Sequence, residues 1–266
     1  MTGRIPARVT RFAGATIATC AVLAAGAGAA GAATVYNNIP SPLPGNLPSQ
    51  AFEATSTSEF GGQVELAGTQ RKNPTVTVTM SSWACQNLKS GSACNTTHGA
   101  TFEWPITVNV YEVGPGNQPG TKIATQTNTF AIPYRPSPNK KCPLTSEGVV
   151  GWGPQCFSGK THNIKFQLVG VTLPTKAIVS VAYNTSDFGY NPTHGPDIGQ
   201  NSLNVAVREP GETGPSVGAY PRPADAYLYS TWTGAYCNGA EGTGTFRLDA
   251  GCWTGFQPSF KVQATK

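Results

Sequence analysis

The chain has 266 residues, of which only 12% are charged, while 31 Gly and 22 Pro supply an unusually large share of turn formers. That balance excludes a coiled coil, a helical bundle and a charge-rich disordered tail, and the 39% apolar content is sufficient for one core. The formal charge of +5 falls once Arg4, Arg8 and Arg11 at the start are set aside, and no basic stripe suited to nucleic acid remains.

The first predicted element is an export signal over residues 1–32. Three arginines precede an apolar run from Phe12 to Ala30, and Ala30-Gly31-Ala32 supplies the small-residue cleavage pattern. The expected new N-terminus is Ala33 or Thr34, and the expected destination is secreted and extracellular. Cys20 is preceded by Ile17-Ala18-Thr19, a poor lipidation motif, and the apolar stretch continues past it through Leu23. No later stretch approaches the ~18 apolar residues a membrane span needs.

Residues 33–50 read as an irregular Pro-rich lead-in, because Pro40, Pro42, Pro44 and Pro48 forbid a central strand or a helix. From Thr75 to Met80 apolar residues alternate with threonines, the period of a strand with one buried face. The same period recurs at Ile106–Tyr111, Ile164–Leu168 and Leu203–Val207, and more weakly at Lys122–Ile132, Ala177–Tyr183, Ala226–Trp232, Thr245–Leu248 and Phe260–Ala264. Strands of this kind separated by turn clusters predict an all-β, antiparallel two-sheet sandwich, jelly-roll-like, with about nine to eleven strands. Residues 33–266 are expected to form a single domain, with Glu209–Pro223 as a Pro/Gly-rich loop rather than a linker.

Cysteine placement suits an oxidising compartment. Cys85, Cys94, Cys142, Cys156, Cys237 and Cys252 fall into three local couples, each enclosing turn residues. Sequential pairing is expected: Cys85–Cys94, Cys142–Cys156 and Cys237–Cys252. Zinc is disfavoured, since no C-x-x-C occurs and the histidines are scattered.

One hairpin carries a resemblance. Thr107-Val108-Asn109-Val110-Tyr111-Glu112-Val113, the turn Gly114-Pro115-Gly116-Asn117-Gln118-Pro119-Gly120, and Ile123-Ala124-Thr125 resemble a hairpin of jelly-roll-like secreted domains in bacterial surface proteins. Tyr36-Asn37-Asn38-Ile39-Pro40 and Ala182-Tyr183-Asn184-Thr185 are similar to segments of uncharacterised secreted proteins of high-GC Gram-positive bacteria. The likeness covers roughly Tyr36 to Val207. It implies a β-sandwich and an extracellular life, and it assigns no catalytic residue.

Catalytic signatures are weak. Gly214-Pro215-Ser216-Val217-Gly218 matches G-x-S-x-G, but Pro221 and Pro223 prevent the helix that a nucleophile elbow needs, and no histidine follows the serine. The carboxylates Glu53, Glu59, Glu65, Glu103, Glu112, Asp187, Asp197 and Glu241 show no recognisable glycosidase arrangement. His98 and His162 each flank a predicted strand and read as loop residues, and His194 sits in a turn between prolines. The loop holding Asp187, Asn191 and Asp197 is the one place where oxygen ligands cluster, so calcium is the one cofactor the sequence suggests.

The C-terminal region concentrates aromatic residues. Strand alternation puts Tyr227 and Tyr229 on one side, with Leu228 and Trp232 on the other. Rings beside disulfides ordinarily pack into a core; a ligand, if there is one, is expected at Tyr227, Tyr229, Trp232, Tyr236 and Trp253. Two function classes stay open: a non-enzymatic extracellular β-sandwich in surface structure or adhesion, and a secreted carbohydrate-binding or carbohydrate-active protein. The corresponding partners are a cell-surface protein or an extracellular glycan.

Overall fold

A computed structural model describes residues 31–88, 94–137, 159–184, 203–208, 214–239 and 241–266. Gly31–Lys266 is one compact unit. The described residues form β1 (Ala33–Asn37), β2 (Ser49–Gln50), β3 (Thr57–Glu65), β4 (Lys72–Ser82), β5 (Asn87–Leu88), β6 (Cys94–Asn95) and β7 (Thr101–Val113). They continue with β8 (Pro119–Pro133), β9 (Lys160–Gln167), β10 (Lys176–Ala182), β11 (Leu203–Ala206), β12 (Asp225–Ser230), β13 (Arg247–Ala250) and β14 (Phe260–Thr265). Among them no helix is long and apolar enough to cross a membrane.

The chain is all-β, and its strands make the expected antiparallel sandwich. In the first sheet β4 is central, with β9 on one side and β14 and β11 following one another along the other side. β1 covers the free edge of β14, and β2 that of β11. The second sheet runs β13-β12-β3-β10-β7-β8, and β5 pairs separately with β6. The β7–β8 and β12–β13 connections stay within the second sheet, whereas β3 to β4, β9 to β10 and β13 to β14 pass between sheets. Such crossing connections interleave distant parts of the chain, as in Greek-key and jelly-roll sandwiches.

Alternation explains which face of each strand is inside. Val76, Val78 and Met80 of β4, with Ile164 and Phe166 of β9, face Phe60, Val64, Ile106, Val108, Val179 and Leu228 of the other sheet, all buried in one core. The intervening Thr77, Thr79 and Ser81 of β4 lie on the opposite face, where the Thr79 hydroxyl donates to Asn163 Oδ1 at 2.7 Å. Roughly 25 cal/mol per Å2 of apolar surface removed from water drives this closure.

Three expectations need correcting. The strand segments outnumber those predicted, and residues 33–50 are not irregular throughout, because β1 and β2 lie within them. The four prolines fall between these two edge strands, which satisfies the constraint on proline without excluding pairing on either side. β3 shows no alternating apolar pattern in the sequence because Glu59, Gly61, Gly62 and Gln63 interrupt its apolar period. Its glycines are required by close approach: a Cβ at Gly61 would strike Ser180 of β10, and one at Gly62 the Tyr220 ring. His162, read as a loop residue, belongs to β9 opposite Met80.

Cys85–Cys94 and Cys237–Cys252 are disulfide-bonded as predicted. Cys142 and Cys156 lie outside the described residues.

Candidate functional site

The outer face of the second sheet is where polar chemistry collects, and strand register shows how. Tyr229 of β12 pairs with Glu59 of β3, Glu59 with Ala182 of β10, Ala182 with Thr107 of β7, and Thr107 with Thr127 of β8. These five residues form one row across five strands. Two positions along each strand, the next row is Tyr227, Gly61, Ser180, Asn109 and Thr125. Because side chains alternate, both rows project from the same face, away from the core.

Glu59 is held by the neighbouring strands. Its Oε1 accepts hydrogen bonds from Asn109 Nδ2 and the Tyr111 hydroxyl, both at 2.9 Å, and from Ser180 Oγ at 2.5 Å. Asn109 is itself oriented by Thr125, whose hydroxyl donates to Asn109 Oδ1 at 2.7 Å. Three donors on one oxygen fix the carboxylate in place. Oε2 accepts no hydrogen bond from the described residues and is open to solvent. The Tyr111 hydroxyl is pushed well above the usual phenol range by burial first and then by the adjacent Glu59 carboxylate, so it remains the donor.

Around Glu59 the surface forms an open trough of about 420 Å3, lined by Ser58, Glu59, Thr107, Ala182, Asn184 and Tyr229 together with Tyr183. Ala182 makes the floor low beside Glu59. Tyr229 is half-buried, and its hydroxyl has no partner among the described residues and reaches solvent. On the far side the Thr107 and Thr127 hydroxyls lie 2.7 Å apart and share one hydrogen bond. Two further clefts, of about 420 and 410 Å3, are built from loops: one around Asn37–Ser41 with Arg208 and Ser216, the other around His98, Tyr134 and Lys160.

The other end of the same face is closed. Tyr111, Ile178, Tyr227 and Leu248 form a small buried cluster, joined by Val113, Phe246 and Ala250. Phe246 stands 5.1 Å from the Tyr111 ring and 6.2 Å from that of Tyr227. The one Tyr227 O–H is directed at Asn117 O at 2.7 Å and Gln63 Oε1 at 3.1 Å, and full burial of the residue keeps a ligand from reaching it.

The five aromatic residues singled out from the sequence therefore do not share one surface. Tyr227 is fully buried, and Tyr236 and Trp253 are buried in the main core. The Tyr236 hydroxyl accepts from Ser230 N at 2.8 Å and donates to Ser230 O at 3.1 Å, while the Arg247 guanidinium lies 4.0 Å over its ring. Trp253 packs on Phe60 at 5.2 Å and donates from Nε1 to Asp249 Oδ2 at 2.8 Å. Only Tyr229, in the trough, and Trp232, 50% exposed, present ring surface to solvent.

Cys237, Asp249 and Cys252 come within 4.8 Å of one another, a grouping that resembles a metal centre by residue type alone. The sulfurs are bonded to each other, and the buried Asp249 carboxylate accepts from Cys237 N at 3.0 Å, Asn238 N at 3.3 Å and Trp253 Nε1. The arrangement is a bracket that ties the disulfide loop to β13. Asp187, Asn191, Asp197 and His194 lie outside the described residues. Ser216 of the G-x-S-x-G match sits on a loop, its hydroxyl accepting from Asn37 Nδ2 at 3.0 Å and donating to Asn37 O at 3.1 Å.

Glu59 appeared in the sequence as one acid among eight, and Thr107, Thr127 and Ala182 fell in predicted strands with no sign of a binding role. Their meeting depends on pairings between residues far apart in sequence, such as Glu59 with Ala182 and with Tyr229. No family model, curated protein or solved structure matches the chain.

Proposed function

We propose that the chain is an exported β-sandwich that acts outside the cell by binding, in a surface-structural or adhesion role. The observation that carries this reading is the trough on the second sheet. There a rigidly held carboxylate keeps one oxygen free, beside a half-exposed tyrosine. Groups already fixed by the fold lose little entropy when a partner arrives.

Export is supported by the charged, apolar, small-residue order of the first 32 residues and by two disulfides. It also fits that β1 begins at Ala33, where the mature chain is expected to start. The alternative, a secreted carbohydrate-active enzyme, draws less support: glycoside hydrolysis uses two carboxyl groups facing each other about 5–9.5 Å apart. Among the described residues the trough contributes a single one.

Two measurements test the reading together. N-terminal sequencing of protein from culture supernatant should begin near Ala33, and the same secreted protein, labelled, should be retained on isolated cell envelopes. Ala182→Arg, which fills the floor of the trough, should abolish that retention while leaving the unfolding curve in place. Full-length protein confined to the cytoplasm, or retention unaffected by Ala182→Arg, contradicts the proposal.

A further inference from the structure

Resting on the binding reading, we infer that the trough takes an uncharged polysaccharide laid across the strands, with Tyr229 under one sugar ring and Glu59 Oε2 accepting a sugar hydroxyl. Among the described residues, Glu59 is the only charged side chain lining the trough. An anionic polymer would meet this carboxylate with no cation among the described lining residues to pair with it, so uronate, sulfate and phosphate chains are disfavoured.

Hydrogen-bonding capacity narrows the class further. Glu59 Oε2 is an acceptor only, and the hydroxyl of Tyr229 both donates and accepts. Thr107 and Thr127 share one hydrogen bond, so one of their two O–H groups remains free to donate outward. An acceptor on one side and a donor on the other complement sugar hydroxyls, each of which does both. A simple ammonium group would use Glu59 and leave the threonine pair idle.

Geometry supplies the third strand of the argument. Neighbouring strands are ~4.8 Å apart, so the row from Tyr229 to Thr127 spans roughly 19 Å over five strands. A polymer running along the row meets a new side chain at each strand, a pitch close to the size of one sugar ring. The low Ala182 floor lets a ring approach beside Glu59, and the exposed edge of Tyr229 offers the apolar contact that the CH-rich face of a sugar needs.

The test is affinity electrophoresis of the secreted protein in gels cast separately with β-glucan, mannan, dextran, polygalacturonate and chitosan. Retardation is expected in at least one of the three neutral gels and not with polygalacturonate. Tyr229→Ala should weaken the neutral interaction at least tenfold. Glu59→Gln should weaken it comparably, because the glutamine carbonyl can still serve Asn109, Tyr111 and Ser180 while its amide turns the free position from acceptor to donor. Thr127→Val, at an exposed position, should cost severalfold with no effect on folding. Stronger retardation by polygalacturonate or chitosan overturns the inference, as do neutral-gel binding indifferent to all three substitutions and failure of every neutral gel. If the neutral gels fail while Ala182→Arg still abolishes envelope retention, the ligand class is wrong and the binding role stands.

Discussion

Tyr227 and Tyr229 are two residues apart on one strand and face the same way, yet the fold uses them differently. Tyr227 is covered by Phe246 and Leu248 from the β13 end and by Tyr111 from β7, and its hydroxyl proton is directed at acceptors within the protein. Tyr229 stands beside Glu59 with its hydroxyl in solvent. The difference lies in what neighbouring strands bring over each ring, not in the residue or its local conformation. One end of the sheet's outer face is a satellite core; the other is a pre-formed surface.

The largest effect that sharpens this contrast is expected at the closed end. Tyr227→Ala should destabilise the protein by about 3–5 kcal/mol, the range for emptying a buried aromatic site. Tyr229→Ala should cost under about 1 kcal/mol, since little of that ring's packing is lost. Urea unfolding of the pair reads the difference directly; equal losses would remove the distinction between the two ends.

Next in size is the bracket beyond β13. Replacing Cys237 and Cys252 together by serine should cost about 3 kcal/mol, as expected for a loop of 15 residues. Asp249→Ala strands the N–H groups of Cys237, Asn238 and Trp253 and should cost about 1–3 kcal/mol. Both changes should leave the Glu59 network in place, because Asn109, Tyr111 and Ser180 hold it from β7 and β10. Loss of trough binding in a folded Asp249→Ala protein would show that the two ends are coupled.

The smallest effect is a pH dependence from the first sheet, which serves as a baseline for both ends. Burial, and secondarily the Lys160 ammonium, hold the His162 imidazole below its usual value. The unfolded chain therefore takes up the proton first as pH falls. This contribution to stability is complete above the ordinary imidazole value of about 6.5 and is lost as pH drops below it toward the folded value. His162→Gln should shrink the difference in melting temperature between pH 7.5 and pH 5, with no change in trough binding at either pH.

Much of the fold was legible because burial imposes a period of two. Thr75–Met80 and Ile106–Tyr111 lie inside strands, Ile164–Leu168 lies in β9 as far as Gln167, and two disulfides join the expected neighbours. β3 was not legible, since its outer residues Glu59 and Gln63 and its paired glycines serve contacts with β10, β12 and Tyr220 rather than an apolar stripe. The site was hidden for the same reason. Alternation correctly placed Tyr227 and Tyr229 on one face, but nothing near them in sequence shows that Phe246, Leu248 and Tyr111 cover the first and spare the second. Trp253 and Tyr236 were singled out for being aromatic, and their polar atoms turn out to be committed to Asp249 and Ser230.

The central claim is that the open end of the second sheet binds and the closed end only supports. Amide chemical-shift mapping of the protein during titration with a neutral oligosaccharide, cut from whichever neutral polymer retards it, tests this most directly. The account predicts that the largest shifts fall on Glu59, Thr107, Thr127, Ala182 and Tyr229, with Tyr227, Leu248 and the β4 threonines unmoved. Shifts centred on Trp232 and Phe256, or on the outer face of the first sheet, would contradict it.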